Sequence, residues 1–190
     1  MLVAKRIIMY LKETLDFRIL FLNEKNEENG QLLLTTYFYS DWSGDVVDRK
    51  STMGQIFFLA SSPISQNSRK QIVVALSSCE DEYISTCSEK FQALWLLSFL
   101  NELKVSDAHL VELLVDNKSA INVAKNLMSH CKSNHIKTKF HFVRDQVNKG
   151  MIKLKHCRTE DQLADVLTKA LKADIFKKLR DMLRVVCFSL

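Results

Sequence analysis

The stretch "QLLLTTYFYSDWSGD" (residues 31–45) joins a predicted strand to an acidic turn. Residues 31–40 are rich in the aromatic and β-branched side chains that favour strands, and small polar turn residues follow them directly. Asp41 therefore stands at the predicted end of the strand. Together with Asp45 and Asp48, it fits either the edge of a metal site or an ordinary polar turn between two strands.

After this stretch, the hydrophobic pattern changes from strands to alternating helices and strands. Further strands are predicted at residues 17–22, 55–60, 70–76, 110–115 and 151–156. Helices are predicted at residues 2–14, 79–103, 118–127, 135–149, 160–172 and 173–183. An antiparallel meander followed by strand, helix and strand predicts an α/β fold with a mixed sheet and helices on its faces.

Composition indicates one compact unit of 190 residues, with only four glycines and one proline and no linker-like segment. Lys12 and Glu13 interrupt the first apolar run before it reaches membrane-spanning length, so we expect a soluble intracellular protein, cytoplasmic or nuclear, that is not secreted.

The five cysteines have no disulfide or zinc-finger spacing. Residues 1–116 carry 11 Lys and Arg against 16 Asp and Glu, whereas residues 117–190 carry 16 Lys and Arg against 6 Asp and Glu. A protein that handles phosphate groups would need both kinds of region, carboxylates to hold a metal ion and basic residues to contact the phosphates.

Four acidic residues stand where ligands gather in such sheets, beyond strand ends or near helix starts: Asp41, Glu82, Asp116 and Asp165. Taken singly, Asp116 is equally well explained as a turn or helix-capping residue, and Asp165 as a solvent-facing helix residue. Taken together, clustered carboxylates require cations, and hard oxygen ligands select Mg²⁺ or Mn²⁺. Two such ions are the usual apparatus of metal-dependent nucleic-acid hydrolysis.

The sequence contains, in this order, the motifs "DWSGDVVDRKSTMG", "SSPIS", "VVALSSCEDEYI", "LLVDNKSAINVAKN", "HFVRDQVNKGMIKLKHCRTEDQLADVLTKAL" and "FKKLRDML". Together they resemble the ribonuclease H domain of the Pol polyproteins of copia-type LTR retrotransposons. The earlier stretch "VAKRIIMYLKETLDFRILF" is similar to the tail of the preceding reverse transcriptase. The resemblance therefore implies two parts: residues 1–30 as a remnant of the reverse transcriptase, and residues 31–190 as the ribonuclease H-like domain.

The resemblance implies a ribonuclease H-like fold, with a five-stranded mixed sheet in the order 3-2-1-4-5. It implies hydrolysis of the RNA strand of RNA–DNA hybrids with two Mg²⁺ (or Mn²⁺) ions held by Asp41, Glu82, Asp116 and Asp165. Glu82 is preferred to Glu80 as the ligand because it directly precedes an aromatic residue. Asp45 and Asp48 are then turn residues.

Departures from the family pattern keep a second function open. The turn at Asp41 is two residues shorter than usual, Gln66 replaces a tryptophan, and Lys137 replaces an aspartate. These changes favour a truncated or degenerate copy, whose alternative function is that of a catalytically impaired nucleic-acid-binding remnant. An integrase or transposase on the same fold is less favoured, because the four acidic residues lie within sequence motifs like those of the nuclease that cleaves RNA–DNA hybrids.

The expected partner is an RNA–DNA hybrid, with a reverse transcriptase domain, upstream or in trans, as a further partner. Neither a membrane nor a small-molecule cofactor is expected. The predicted nucleic-acid-binding residues, which would contact phosphates, are Lys118, Lys125, Lys132, Lys139, Arg144, Lys153, Lys155 and Arg158. For any one of these basic residues, a solvated surface position is the more common explanation.

Overall fold

The computed structural model describes residues 2–22, 32–72, 74, 81, 92–105, 110–118, 121 and 144–188. The helices and strands in chain order are α1 (Leu2–Glu13), β1 (Phe17–Ile19), β2 (Leu34–Asp41), β3 (Thr52–Leu59), β4 (Ser62–Lys70), α2 (residues 92–102), β5 (Val111–Val115), α3 (residues 144–148), β6 (Ile152–His156), α4 (Ala173–Met182) and β7 (Val185–Cys187). Two 3₁₀ turns, Thr159–Asp161 and Leu163–Leu167, lie between β6 and α4.

The main sheet has five strands in the order β4-β3-β2-β5-β6. Strands β2, β3 and β4 pair antiparallel through short connections, whereas β5 pairs parallel with both β2 and β6. The parallel pairs need crossover segments, which is where the helical residues of α2 and α3 occur. Numbered within this sheet, the order is 3-2-1-4-5, so the predicted α/β class and mixed sheet are confirmed.

Both faces of the sheet are covered, which explains why β3 has six consecutive buried residues. On one face, Leu34 and Phe38 of β2 pack in a cluster with Leu97 and Leu100 of α2. The opposite face packs against the second 3₁₀ turn and α4, in a cluster of Ile56, Phe58, Leu163 and Leu179. Strand β2 alternates accordingly between buried and half-buried side chains.

Two predicted elements were wrong. The third strand of the meander is residues 62–70, not 70–76, and Ile72 is exposed. Its sequence "SPISQNSRK" is polar because β4 is an edge strand that buries little, so hydrophobicity did not reveal it. The helix predicted at residues 160–172 is replaced by the two 3₁₀ turns, because Gln162 between them has an extended backbone.

The amino-terminal segment contacts the carboxyl-terminal end of the chain. Strands β1 and β7 form a separate two-stranded antiparallel sheet, and the Arg180 guanidinium lies 5.0 Å from the centre of the Phe17 ring. The amide of Leu22 donates to Ser62 Oγ at 2.9 Å, at the start of β4. The predicted boundary between residues 30 and 31 falls outside the described residues, so the two-part division stays a prediction.

Helix α1 is almost entirely exposed, including the apolar side chains of Val3, Ile7 and Leu11. None of the helices among the described residues combines the length and the hydropathy that a membrane crossing requires.

Gly54 allows β3 to lie directly against the second 3₁₀ turn. A Cβ atom on Gly54 would lie 2.7 Å from the carbonyl oxygen of Ala164 and 2.7 Å from Thr168 Cγ2. An alanine within a strand normally improves stability over glycine, but here it would force the two elements apart. We expect Gly54→Ala to lower the free energy of unfolding by about 1–3 kcal/mol, measured by urea denaturation.

The exposed β4 variant Gln66→Ala serves as the control, with an expected change within about 0.5 kcal/mol. A Gly54→Ala protein as stable as wild type, or more stable, would contradict this close approach.

Candidate carboxylate site

Asp41 and Asp116 meet at one edge of the main sheet. Asp41 ends β2 and Asp116 directly follows β5, and these two strands pair parallel. Their carboxyl ends therefore point in the same direction, as at the ligand-binding edge of other α/β sheets. Both residues line a cleft of about 560 Å³. The cleft is also lined by Tyr39, Ser40, Trp42, Asp81, Asn117, Lys118 and His156.

The Asp41 carboxyl group packs against the turn that follows it. The amide of Gly44 donates to the backbone carbonyl of Asp41 at 3.2 Å. A Cβ atom at Gly44 would lie 2.1 Å from Asp41 Oδ2. Only glycine leaves room for this carboxyl position, so the turn forms a cradle for Asp41.

The outer part of the same turn is held by its own hydrogen bonds. Asp45 Oδ1 accepts from the amides of Val47 at 2.7 Å and Asp48 at 3.2 Å. The Lys70 ammonium pairs with Asp45 and also with Asp48, at 3.0 Å from Asp48 Oδ2. The hydrogen bond from Lys70, together with the two amides, lowers the pKa of Asp45 to about 2. The interpretation of Asp45 and Asp48 as turn residues is therefore confirmed.

Asp165 belongs to the 3₁₀ turn Leu163–Leu167 rather than to the predicted helix, and its side chain is buried. The preceding Gln162 fixes this turn: its Nε2 donates to the carbonyl of Phe38 in β2 at 3.0 Å, and its Oε1 accepts from the amide of Ala164 at 3.4 Å. A buried glutamine side chain thus ties the Asp165 segment to the strand that carries Asp41.

The ammonium of Lys169 is the cation that contacts Asp165. Its Nζ lies 3.0 Å from Asp165 Oδ2, donates to the Tyr39 hydroxyl at 3.0 Å, and lies 4.2 Å from the centre of the Tyr39 ring. Within the described ranges, the other carboxyl oxygen, Asp165 Oδ1, is buried without a hydrogen-bond partner. Asp165 is therefore half satisfied, with one oxygen held by Lys169 and the other buried and unpaired among the described residues.

The carboxyl groups influence one another electrostatically. Burial raises the pKa of Asp116. Burial also raises the pKa of Asp165; the Lys169 ammonium opposes this rise, and the charges of Asp116 and Asp41 add to it. The charges of Asp41 and Asp116 thus disfavour the ionisation of Asp165, a penalty that a divalent cation would relieve.

The donor chemistry of the site fits a hard cation such as Mg²⁺ or Mn²⁺, since it offers carboxylate oxygens and one buried unpaired oxygen. Counting described residues only, no three His, Cys, Asp or Glu side chains are grouped closely enough to hold a metal ion. The predicted ligand Glu82 lies outside the described residues. Asp41, Asp116 and Asp165 therefore form an incomplete set, and their role as ligands stays a prediction.

The predicted nucleic-acid-binding residues have different surroundings. Lys118 is exposed and lines the cleft. Lys153 and Lys155 both pair with the buried Glu112 of β5, at 3.1 and 2.6 Å. Arg158 pairs with Glu160 at 3.5 Å.

Of the remaining predicted basic residues, Arg144 is half-buried, whereas Lys125, Lys132 and Lys139 lie outside the described residues. Among the described basic residues, Lys118 therefore has the most direct access to the cleft.

Sequence reasoning missed several residues that shape the site, namely Tyr39, Gly44, Asp81, Gln162 and Lys169. The pairing of Lys169 with Asp165 could have been found, because residues four apart along a helical segment lie on the same side. The contacts of Gly44 and Gln162 could not, because they depend on tertiary approach. Asp81 is fully buried although it is flanked by Glu80 and Glu82, and no local signal predicts that burial.

Comparisons with known proteins relate the chain to retrotransposon proteins. The chain is 37% identical over 182 residues to the "Retrovirus-related Pol polyprotein from transposon RE2" of Arabidopsis thaliana, a match that covers 96% of the chain and 12% of the relative. It is 38% identical over 173 residues to the corresponding protein from transposon RE1 of the same organism, covering 91% of the chain and 12% of the relative. The chain thus spans about an eighth of the length of these relatives.

Among solved structures, the fold is similar to that of "LC11-RNase H1 in complex with RNA/DNA hybrid", with a TM-score of 0.51 and 15% sequence identity. The similarity covers 71% of the chain and 93% of that protein. The chain matches no protein-family model.

We expect Gly44→Ala to weaken cation binding, because the added methyl group would displace the Asp41 carboxyl group. Isothermal titration with Mn²⁺ should show a dissociation constant raised by about tenfold or more, the scale at which support of a ligand matters. Val47→Ala, at an exposed position of the same turn, is the control and should leave the constant unchanged. Equal affinities of Gly44→Ala and wild type would argue against the cradle.

Cys157 provides a probe of the carboxylate cluster. Burial raises the pKa of its thiol to about 11, and the charges of Asp161, Asp116 and Asp165 contribute to the rise. At pH 8, its reactive thiolate is therefore about 100-fold scarcer than for a cysteine with a pKa of 9.0. Mass spectrometry after iodoacetamide treatment should show modification of exposed Cys187 long before that of Cys157.

The variant Asp116→Asn should speed the modification of Cys157, because it removes one of the negative charges. Asp145→Asn, at the exposed partner of Lys149, should not. Identical labelling rates for Cys157 in both variants would show that Asp116 does not act on this thiol.

Proposed function

Because the chain is related to the Pol polyproteins of copia-type retrotransposons and has the ribonuclease H-like fold, we propose that it hydrolyses the RNA strand of RNA–DNA hybrids. The observation that carries this proposal is that Asp41 and Asp116 line one cleft at the edge of the sheet, with Asp165 near enough for their charges to raise its pKa. Three carboxylates separated by 75 and 49 positions in the sequence gain nothing for stability from this proximity, so a role in binding cations is the favoured reason for it.

Asp41, Glu82, Asp116 and Asp165 would hold Mg²⁺ or Mn²⁺, two ions in the complete site. When bound, the ions would supply an activated water and stabilise the charge that develops on the leaving oxygen of the RNA strand. The protein's own contribution is positional. The Gly44 turn holds Asp41, and Gln162 and Lys169 hold Asp165, so the carboxylates need not reorganise during the reaction.

Lys169 gives the site a cation of its own. Its ammonium is fixed between the Asp165 carboxylate and the Tyr39 hydroxyl, so it offsets part of the carboxylate repulsion in the protein before substrate binds. It also leaves Asp165 Oδ1 as the buried carboxyl oxygen without a partner among the described residues, which is the oxygen that would bind a metal ion. One carboxyl group would thus contact both the fixed Lys169 ammonium and an exchangeable metal ion. This arrangement supports a site that is formed before the metal ion binds.

Recognition of the hybrid would rely on its backbone and shape. Lys118 at the cleft is the best placed of the described basic residues to contact a phosphate, and Trp42 at the same cleft is half exposed. Discrimination of RNA from DNA would come from contacts with 2′-hydroxyl groups across the minor groove rather than from base sequence.

A reverse transcriptase domain, upstream or supplied in trans, completes the proposal, since the relatives are about eight times as long as this chain. Residues 1–30 would belong to that domain and residues 31–190 to the ribonuclease H-like domain. The pairing of β1 with β7 supports a close physical connection between the two parts.

The decisive assay is cleavage of a labelled RNA–DNA hybrid with Mg²⁺ or Mn²⁺. We expect metal-dependent cleavage of the RNA strand by wild type, and a loss of about 100-fold or more in rate for Asp116→Asn, as for the loss of other preorganised electrostatic groups. The matched control is Asp145→Asn, at an exposed aspartate paired with Lys149 in α3.

Cleavage that is equal in Asp116→Asn and wild type would refute the assignment of the site. Salt-sensitive binding of the hybrid without any metal-dependent cleavage would instead establish the catalytically impaired remnant.

A further inference from the structure

A buried cluster of polar side chains lies directly behind Asp41. Its members are Ser40 at the end of β2, Ser51 just before β3, Gln71 just after β4, and Asp81. Ser51 and Asp81 have no exposed surface, and Gln71 and Ser40 are 3% and 6% exposed. Four separate segments of the chain therefore meet through polar rather than apolar side chains.

Gln71 connects these segments through hydrogen bonds. Its side-chain Nε2 donates to Asp81 Oδ1 at 2.7 Å and lies 3.3 Å from Ser40 Oγ. Its backbone amide donates to the carbonyl of Ser51 at 2.8 Å, and Ser51 Oγ accepts from the amide of Ser43 at 3.1 Å. The cluster thus runs from Asp81 to the turn that cradles Asp41.

The burial of Asp81 needs a reason, because a carboxyl group without exposed surface is unfavourable unless its neighbours satisfy it. The Gln71 amide does so in part. Burial raises the pKa of Asp81, and the hydrogen bonds from Ser51, Ser40 and Gln71 oppose that rise. An apolar residue at such a position would need no hydrogen-bond partner. The arrangement is therefore explained better by a need for fixed geometry than by stability.

We propose that Asp81 is a positioning residue for Asp41, and that it sets the affinity of the cleft for divalent cations. The proposal rests on the proposed function, since it gives a support to the same carboxylate site. Ser40 adjoins Asp41 in the chain, and Ser51 holds the turn in which Gly44 contacts the Asp41 carboxyl group. Both serines are linked to Asp81 through Gln71.

Asp81 acts through Asp41 and not as a ligand. Its Oδ1 is occupied by the short hydrogen bond from Gln71, and its side chain, although it lies at the wall of the cleft, has no exposed surface. Removing it would leave the Gln71 amide without this acceptor, and a buried amide in that state moves or recruits water. Either response would shift Ser40 and the turn, and Asp41 with them.

The test compares Asp81→Ala with Asp81→Asn by titrating the full chain with Mn²⁺. We expect Asp81→Ala to raise the dissociation constant by about 10–100-fold, as other residues that support metal ligands do. Asp81→Asn retains an oxygen acceptor for Gln71 and can donate to the serine hydroxyls, so it should stay within about threefold of wild type. This rescue by the uncharged variant would not be expected if the charge of Asp81 were what mattered.

Leu100→Ala is the control that separates a loss of metal-ligand positioning from a general loss of stability, because it removes a buried side chain of α2 in the core. It should lower the free energy of unfolding without changing the Mn²⁺ affinity. If Asp81→Ala does not fold, Ser51→Ala decides the matter: it removes one hydroxyl of the cluster and should weaken Mn²⁺ binding by about threefold to tenfold.

Equal Mn²⁺ affinities of wild type, Asp81→Ala and Ser51→Ala would overturn this inference alone. So would an equal loss of affinity in Leu100→Ala. A wild-type chain that neither binds Mn²⁺ nor cleaves the hybrid would overturn the proposed function as well.

Discussion

Electrostatic repulsion among Asp41, Asp116 and Asp165 is the constraint on which the site depends. The three carboxyl groups are carried by β2, by the residue after β5 and by a 3₁₀ turn; burial raises the pKa of Asp116 and of Asp165, and the charges of Asp116 and Asp41 add to the rise at Asp165. Carboxylate side chains that were free to move would rotate into water, where their charges are solvated. The surrounding structure holds them in place, so the site is preorganised.

Several contacts elsewhere in the fold hold these three carboxyl groups in position. The parallel pairing of β2 with β5 places two strand ends side by side, and the missing side chain of Gly54 lets the Asp165 segment lie against β3. Gln162 then ties that segment to β2. Each support joins segments far apart in sequence, so the geometry of the site and the packing of the sheet are established together.

The sequence predicted those features that depend on local pattern. Alternating and apolar runs predicted β2 and β5, and hence the positions of Asp41 and Asp116 at their ends. The polar edge strand β4 was missed because an edge strand needs little apolar surface. The extended backbone at Gln162 was missed because it depends on a hydrogen bond to Phe38, 124 residues away. Asp81 is buried by the same kind of long-range contact, whereas Lys169 followed a local spacing that could have been recognised. Glu82 remains a prediction from family resemblance.

The most direct test of the account is to locate bound Mn²⁺ by anomalous scattering in crystals of the full chain. The account predicts an anomalous peak in the cleft, with Asp41, Asp116 and the Oδ1 atom of Asp165 among the ligands. It is contradicted if Mn²⁺ at saturating concentration leaves this cleft empty, or if the ions bind only at the outer turn formed by Asp45 and Asp48.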